Sequence, residues 1–257
     1  MKTALVLSAG GMFGAYQAGV WRALQSVFTP DVVVGCSVGS INGWAIASGV
    51  SGEDLAATWL DPRCSTLMRR RKPWRPWKSA FDPYPLRQMI QEMAAMYTPR
   101  VPFAVALTAL PRLRLEMVQT PHLTWEHVVA SCAVPVGYPA VSIDGRSYWD
   151  GGFLSVLPVW AARQLGADRA IAVNVLPNKP LSALRVAVRT VRLLAPREPR
   201  VAGMQVLTIT PDPPLGTLRT AVMWNPAKIR EWIDLGERDA AALLRTDSFS
   251  AMLGRFV

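Results

Sequence analysis

The feature of this sequence most able to do covalent chemistry is a serine between two glycines, Gly35-Cys36-Ser37-Val38-Gly39. The spacing suits a serine that projects from a sharp strand-to-helix turn, where small neighbours let the backbone fold back on itself. It follows the apolar run Val32-Val33-Val34 and precedes a helical stretch over Ser40–Ser48, the context a nucleophile elbow needs. That helix would present the positive end of its dipole to the reacting centre and favour an oxyanion there. A serine hydroxyl also needs a base. The usual α/β-hydrolase order ends in a histidine, but the chain has only His122 and His127 and none beyond them. His127 falls inside a helical pattern over Trp125–Ala133 and reads as a packed or surface residue. Either the site is unusual or a carboxylate does the work, its pKa lifted toward neutrality by burial. Asp150 is the candidate. It follows Ser147-Tyr148-Trp149 and precedes Gly151-Gly152, which permit a tight turn and a close approach to a neighbouring loop. Taken alone, Asp-Gly-Gly is a turn; its weight comes from company.

The elements that must position these residues alternate. Lys2–Ser8 reads as a strand, Ala9-Gly10-Gly11-Met12-Phe13-Gly14 as a turn, and Ala15–Val27 as a helix. Asp31–Val34 is a second buried strand that runs into the serine loop. This β-loop-α-β-loop-α order predicts parallel strands with right-handed crossovers. Further strands are expected at Phe103–Leu107, Arg114–Val118, Ala170–Val175 and Val206–Ile209, with helices at Val159–Leu165 and Ala227–Leu244. Asp144-Gly145 predicts a two-residue hairpin between Val141–Ile143 and Ser147–Trp149. Seven prolines crowd residues 61–102, around a helix expected over Leu86–Tyr97. The Met-rich face of that helix reads as core, with an acyl pocket as the alternative. The glycine loop is no dinucleotide fingerprint. Ala9 stands at its first glycine, and the nearest acid, Asp31, begins the second strand instead of ending it.

Three segments in this order, Gly10-Gly11-Met12-Phe13-Gly14, Gly35-Cys36-Ser37-Val38-Gly39 and Asp150-Gly151-Gly152, together resemble the patatin-like phospholipase family. Ala130-Ser131-Cys132-Ala133-Val134-Pro135, Leu165-Gly166-Ala167-Asp168 and Leu235-Gly236-Glu237-Arg238-Asp239-Ala240 extend the likeness, which is weakest over residues 50–120. The resemblance implies an α/β fold, a parallel-rich central sheet sandwiched by helices, in a single domain over 1–257 with a variable basic-aromatic region at about 61–102. It implies a lipid acyl hydrolase in which Ser37 and Asp150 form a dyad without histidine. Backbone amides at Gly10, Gly11 and Met12 would form the oxyanion hole, and Gly14, Gly35, Gly39, Gly151 and Gly152 would support the loops. Two positions depart from the family pattern: Ala9 replaces a glycine, and Phe13 a basic residue.

The charge is uneven. Of the net +10, residues 68–81 carry +6 and residues 178–200 carry +5, which leaves the remainder at −1. In the first patch Trp74, Trp77 and Phe81 interleave with cations. In the second, Arg185, Arg189 and Arg192 recur at helical spacing opposite Leu181, Leu184, Val188 and Val191. Both patterns suit an anionic membrane surface as a peripheral partner, the second equally a solvated face over core. The rival from another class is a non-catalytic protein that binds anionic membrane or nucleic acid, but no nucleic-acid motif accompanies the patches. Three widely spaced cysteines suggest neither a disulfide framework nor a metal site, and a reducing, cytoplasmic setting. No cofactor and no metal are expected. The N-terminal apolar run is too short for a signal peptide, and no run is long enough to span a membrane.

Overall fold

The computed structural model of the chain describes residues 1–71, 79–177, 198–199 and 201–253. Its centre is an eight-stranded sheet. The strands are β1 (Thr3–Leu7), β2 (Val32–Gly35), β3 (Phe103–Ala109), β4 (Arg114–Gln119), β5 (Val141–Ile143), β6 (Arg146–Asp150), β7 (Arg169–Val173) and β8 (Gln205–Ile209). Along the sheet they run β5-β6-β3-β2-β1-β7-β8, with β4 also paired to β3. The five strands from β3 to β8 by way of β2, β1 and β7 are parallel, whereas β4, β5 and β6 enter antiparallel.

The apolar runs that mark the central strands hide an alternation of size. Leu5, Leu7, Val33, Phe103, Val105, Leu107, Ile171 and Val173 face one side of the sheet. Ala4, Val6, Val32, Val34, Ala104, Ala106, Ala170 and Ala172 face the other. Successive strand residues point to opposite faces, so the larger residues meet one helical layer and the smaller ones another. The thick layer contains α1 (Gly14–Leu24), α2 (Val38–Ala47), α3 (Gly52–Leu60), α5 (Trp125–Ser131) and α8 (Pro226–Leu244). On the alanine face lies α6 (Val159–Gln164), which brings Trp160, Ala161 and Ala162 against the small side chains. Three helices complete the described chain: α4 (Pro83–Met96), α7 (Leu218–Ala221) and α9 (Asp247–Leu253).

Several local expectations hold within a residue or two at each end, among them the hairpin around Asp144-Gly145, whose φ values of 49° and 77° are those a tight turn demands. The late segment Leu235–Ala240 lies in α8, where Asp239 accepts the Tyr16 hydroxyl of α1 at 2.6 Å. The Met-rich face of α4 is not closed core. Leu86 and Ile90 are buried, but Met89 and Met93 are half-buried and Met96 is exposed. The cations of the second basic patch, Arg185, Arg189 and Arg192 among them, lie outside the described residues. So do Trp74 and Trp77 of the first patch.

Candidate active site

The pairing of β3 brings Ser37 and Asp150 together. Its partner β4 occupies one edge from Ala104 to Ala109. The other edge is shared: β2 pairs in parallel up to Gly35 opposite Val105, and β6 pairs antiparallel from Asp150 opposite Leu107. The two strands thus approach end to end, and their tips sit two β3 residues apart, roughly 7 Å at strand spacing. Ser37 follows the first tip, and Asp150 is the second.

Ser37 has φ 53° and ψ −127°, a conformation a non-glycine residue holds only under constraint. The constraint is visible. Its amide donates to Ser131 Oγ at 2.9 Å, and Ser131 in turn donates to the Ala106 carbonyl of β3 at 3.0 Å. Its carbonyl accepts from Ser40 Oγ at 2.5 Å. Gly39 closes the turn against β1, where a Cβ would sit 2.4 Å from the Leu7 carbonyl oxygen; no larger residue fits. The serine therefore caps α2, with the N-terminal end of that helix behind it.

Asp150 is 2% exposed. Its amide donates to the Ala133 carbonyl, and its carbonyl accepts from Thr108 Oγ1 at 2.9 Å. Its carboxylate accepts the Gly152 amide at 2.7 Å and the Cys36 thiol at 3.6 Å. Burial raises the pKa to about 6, and the neighbouring Ser37, Gly152 and Cys36 donors hold it from rising further. Gly151 lies with its backbone against the Ala106 carbonyl, the close approach expected of the glycine pair.

The N-terminal glycine loop forms a 3-10 turn over Gly11–Phe13. Gly11 has φ +58°, and a Cβ there would lie 2.3 Å from the Ala221 carbonyl oxygen. Gly10, Gly11 and Met12 line one cavity with Ser37 and Asp150. Among the described residues, no backbone acceptor receives the amides of Gly10, Gly11 or Met12. Phe13 does not line that cavity. Its ring is buried and meets Trp232 edge-on at 5.0 Å, so the departure at this position is a packing feature of the thick layer. Ala9 lines the cavity and packs its methyl toward Gly152. Gly14 opens α1 beneath Val38 and Trp59, and Gly35 ends β2 beneath Gly39.

The cavity measures about 270 Å³. Apart from Ser37, Asp150, Cys132 and Tyr138 its side chains are apolar, among them Trp59, Leu67, Met68, Leu86, Phe153, Leu176, Leu218 and Val222. The histidines are elsewhere. His127 Nδ1 accepts the Thr124 amide at 3.1 Å in a capping box that starts α5, and burial lowers its pKa. His122 is exposed. Ser131 and Cys36 were not singled out by the sequence for what they do here. The one signal for Ser131 is its place in the segment Ala130–Pro135, whose spacing does not reveal a serine that braces the elbow.

A mostly parallel sheet between helical layers, with a buried serine and carboxylate at its strand ends, defines an α/β protein of hydrolase-like architecture. A family model described as patatin-like phospholipase matches residues 5–163, and the chain belongs to that family. Patatin-like phospholipase domain-containing protein 7 of Rattus norvegicus is 28% identical over 184 residues, which cover 67% of this chain and 13% of that protein. Protein 6 of the same series, from Homo sapiens, is likewise 28% identical over 184 residues, with the same 67% and 13% coverage. Lysophospholipase NTE1 of Debaryomyces hansenii is 25% identical over 188 residues, covering 66% of this chain and 12% of that protein. The chain therefore spans a small fraction of these relatives' length. Among solved structures, VipD from Legionella pneumophila superposes with a TM-score of 0.51 at 14% identity, covering 95% of this chain and 66% of that one, a likeness of fold.

Proposed function

We propose that the chain hydrolyses fatty-acyl esters of lipids, phospholipids among them, with Ser37 as nucleophile and Asp150 as general base. The observation that carries this reading is that Ser37 and the buried Asp150 carboxylate line one apolar cavity, with no histidine among its described lining. The words phospholipase and lysophospholipase in the names of its relatives support the same substrate class.

Ser37 Oγ attacks the acyl carbonyl carbon while its proton passes to Asp150. The carbonyl π electrons move to oxygen, and the amides of the Gly10–Met12 loop hold the resulting oxyanion. Collapse expels the alcohol, which takes the proton from Asp150 and leaves an acyl group on Ser37. Water then attacks that ester, gives its proton to Asp150, and releases the fatty acid as Ser37 regains a proton. A base with pKa about 6 is ionised at neutral pH yet close enough to it to share a proton in the transition state. Labelling by a fluorophosphonate probe tests the nucleophile: the intact chain should be labelled and Ser37→Ala should not.

An anionic membrane surface is the proposed peripheral partner. Arg70 and Phe81 form an antiparallel bridge, with the Arg71 amide on the Ala80 carbonyl and the Asp82 amide on the Arg69 carbonyl. The Ala80 and Phe81 amides then donate to the Val136 and Gly137 carbonyls, at 2.9 and 3.0 Å. This loop also carries Val134 and Tyr138, which line the cavity, and Val136, which is 85% exposed. Cations and an exposed apolar side chain thus border the cavity that would take the lipid.

A further inference from the structure

A second cavity, about 610 Å³ and open to solvent past Arg63, Tyr84 and Met96, adjoins the first, between α2, α3 and α4. Three residues, Ile41, Trp59 and Leu67, line both, so one layer of side chains separates them. We propose that the two form one acyl path: the ester group sits at Ser37 in the first cavity, and the methyl end of a long chain lies in the second. The inference rests on the reading that Ser37 hydrolyses acyl esters, and it adds that the substrate acyl group is long.

Helix α2 supplies the direction. Ser37 caps it, Val38 and Ile41 line the first cavity, and Ile41 and Ala45 line the second. At a rise of 1.5 Å per residue, the stretch from Ser37 to Ala45 spans about 12 Å. A chain laid along this face passes from the nucleophile into the second cavity without changing course. The first cavity alone, at about 270 Å³, falls below the ~300–1,000 Å³ usual for small-molecule sites. The second more than triples the space.

The dividing layer has one fixed member and two movable ones. Trp59 is held at both ends: its Nε1 donates to Asn42 Oδ1 at 3.0 Å, and its carbonyl accepts from Trp224 Nε1 at 3.0 Å. Ile41 and Leu67 have no polar side-chain anchor, so a change of rotamer breaks no hydrogen bond. They form the gate. Beyond it, Met89 and Met93 give the second cavity unbranched, adaptable walls of the kind that fit chains of variable shape.

The rim of the second cavity argues for a hydrocarbon tail and against a charged head group. Its ions are already paired: Arg63 with Asp61 at 2.9 Å and with Glu92 at 3.8 Å, and Arg69 with Asp82 at 2.5 Å. Among the described lining residues no cation is left over to recruit a phosphate or carboxylate, and the wall beyond is largely apolar, with Ile41, Ala45, Leu55 and the two methionines.

The test compares p-nitrophenyl butyrate with p-nitrophenyl palmitate on the full chain, on Met93→Trp, which narrows the second cavity, and on Met93→Ala, which enlarges it. A contact worth one methylene changes kcat/KM by about 10-fold or more, so excluding several should lower the palmitate-to-butyrate ratio at least about tenfold in Met93→Trp. Butyrate turnover should stay within about twofold, and Met93→Ala should hold or raise the ratio. An unchanged ratio in both folded variants, with butyrate turnover intact, would overturn the path. An unsubstituted chain that hydrolyses neither ester and takes no fluorophosphonate label would instead overturn the hydrolase reading, and the path with it.

Discussion

The thiol of Cys36 lies 3.6 Å from Oδ1 of Asp150, the same oxygen that accepts the Gly152 amide at 2.7 Å. Both side chains are shut away from solvent, and burial together with the adjacent carboxylate raises the thiol's own pKa, so the sulfur keeps its proton and acts as a donor. A donor to the ionised carboxylate favours that form. Cys36→Ala should therefore raise the pKa of Asp150 above its value of about 6, and the acid limb of kcat/KM against pH should move upward by about half a unit. The profile on a soluble ester reads this directly. A limb that stayed in place in a folded variant would remove Cys36 from any role in tuning the base.

Asp150 sets a second expectation, on stability. Its pKa is about 6 in the folded chain, against about 3.9 for a free aspartate. Between those values the folded state holds a proton that the unfolded state has lost, so stability falls as pH rises through about 4 to 6. Asp150→Asn removes that loss. It should abolish ester hydrolysis and yet stabilise the chain at pH 8 by up to about 3 kcal/mol, with little gain at pH 4. Thermal midpoints at the two pH values decide it: a gain at pH 4 as large as at pH 8 would contradict the assignment. His127→Gln should lose some helix capping and leave turnover largely intact, because the ring serves the start of α5.

Gly11 and Gly145 separate the proposed oxyanion loop from an ordinary turn. Both have positive φ, +58° and +77°, so alanine at either is strained. At Gly145 nothing lies within 4 Å of the new methyl, whereas at Gly11 it would meet the Ala221 carbonyl oxygen at 2.3 Å and force the loop to shift. Gly145→Ala should cost about 1 kcal/mol of stability and no activity. Gly11→Ala should lower kcat on a soluble ester about 100-fold, as loss of an oxyanion donor does. Equal kcat values for the two folded variants would rule out the loop as the oxyanion site.

Much of this arrangement was legible because it is local. The elbow, the glycine loop and the hairpin at Asp144-Gly145 each declare themselves within a few residues, through small side chains and apolar runs. The pairing of Asp150 opposite Leu107 is not local. Nothing near Asp150 states that β6 continues the edge of β3 that β2 leaves at Gly35, since register depends on residues far apart in the chain. Helix α3 was missed although Ser51 accepts the Asp54 amide and so caps it; the short pattern runs straight into the proline-rich stretch, which masked its end. The Met-rich face of α4 read as core because periodicity reports which side is apolar and not whether anything fills the space beside it.

The last prediction concerns the membrane. Arg69, Arg70 and Arg71 reach the described structure through a ladder that ends on the loop of Val134, Val136 and Tyr138, at the border of the first cavity. Val136 holds φ 70° and is 85% exposed, an uncommon conformation for a β-branched residue and one that turns its side chain to solvent. A surface that combines cations with an apolar tip would press the mouth of the cavity against an anionic bilayer. Replacing Arg69, Arg70, Arg71 and Lys72 with Gln should weaken binding to phosphatidylglycerol vesicles, most visibly at about 0.01 M salt, where charges act over roughly 30 Å. Val136→Asp should weaken binding to neutral phosphatidylcholine vesicles as well, because it removes an apolar contact. Soluble butyrate ester should turn over at the original rate in the quadruple variant, since neither Ser37 nor Asp150 is touched. Arg69 pairs with Asp82, but an exposed pair contributes at most about 1 kcal/mol, so the variant should fold. Vesicle binding that survived the quadruple change at low salt would show that these arginines do not dock the chain. Lost turnover of the soluble ester in a folded variant would show that they serve the chemistry instead.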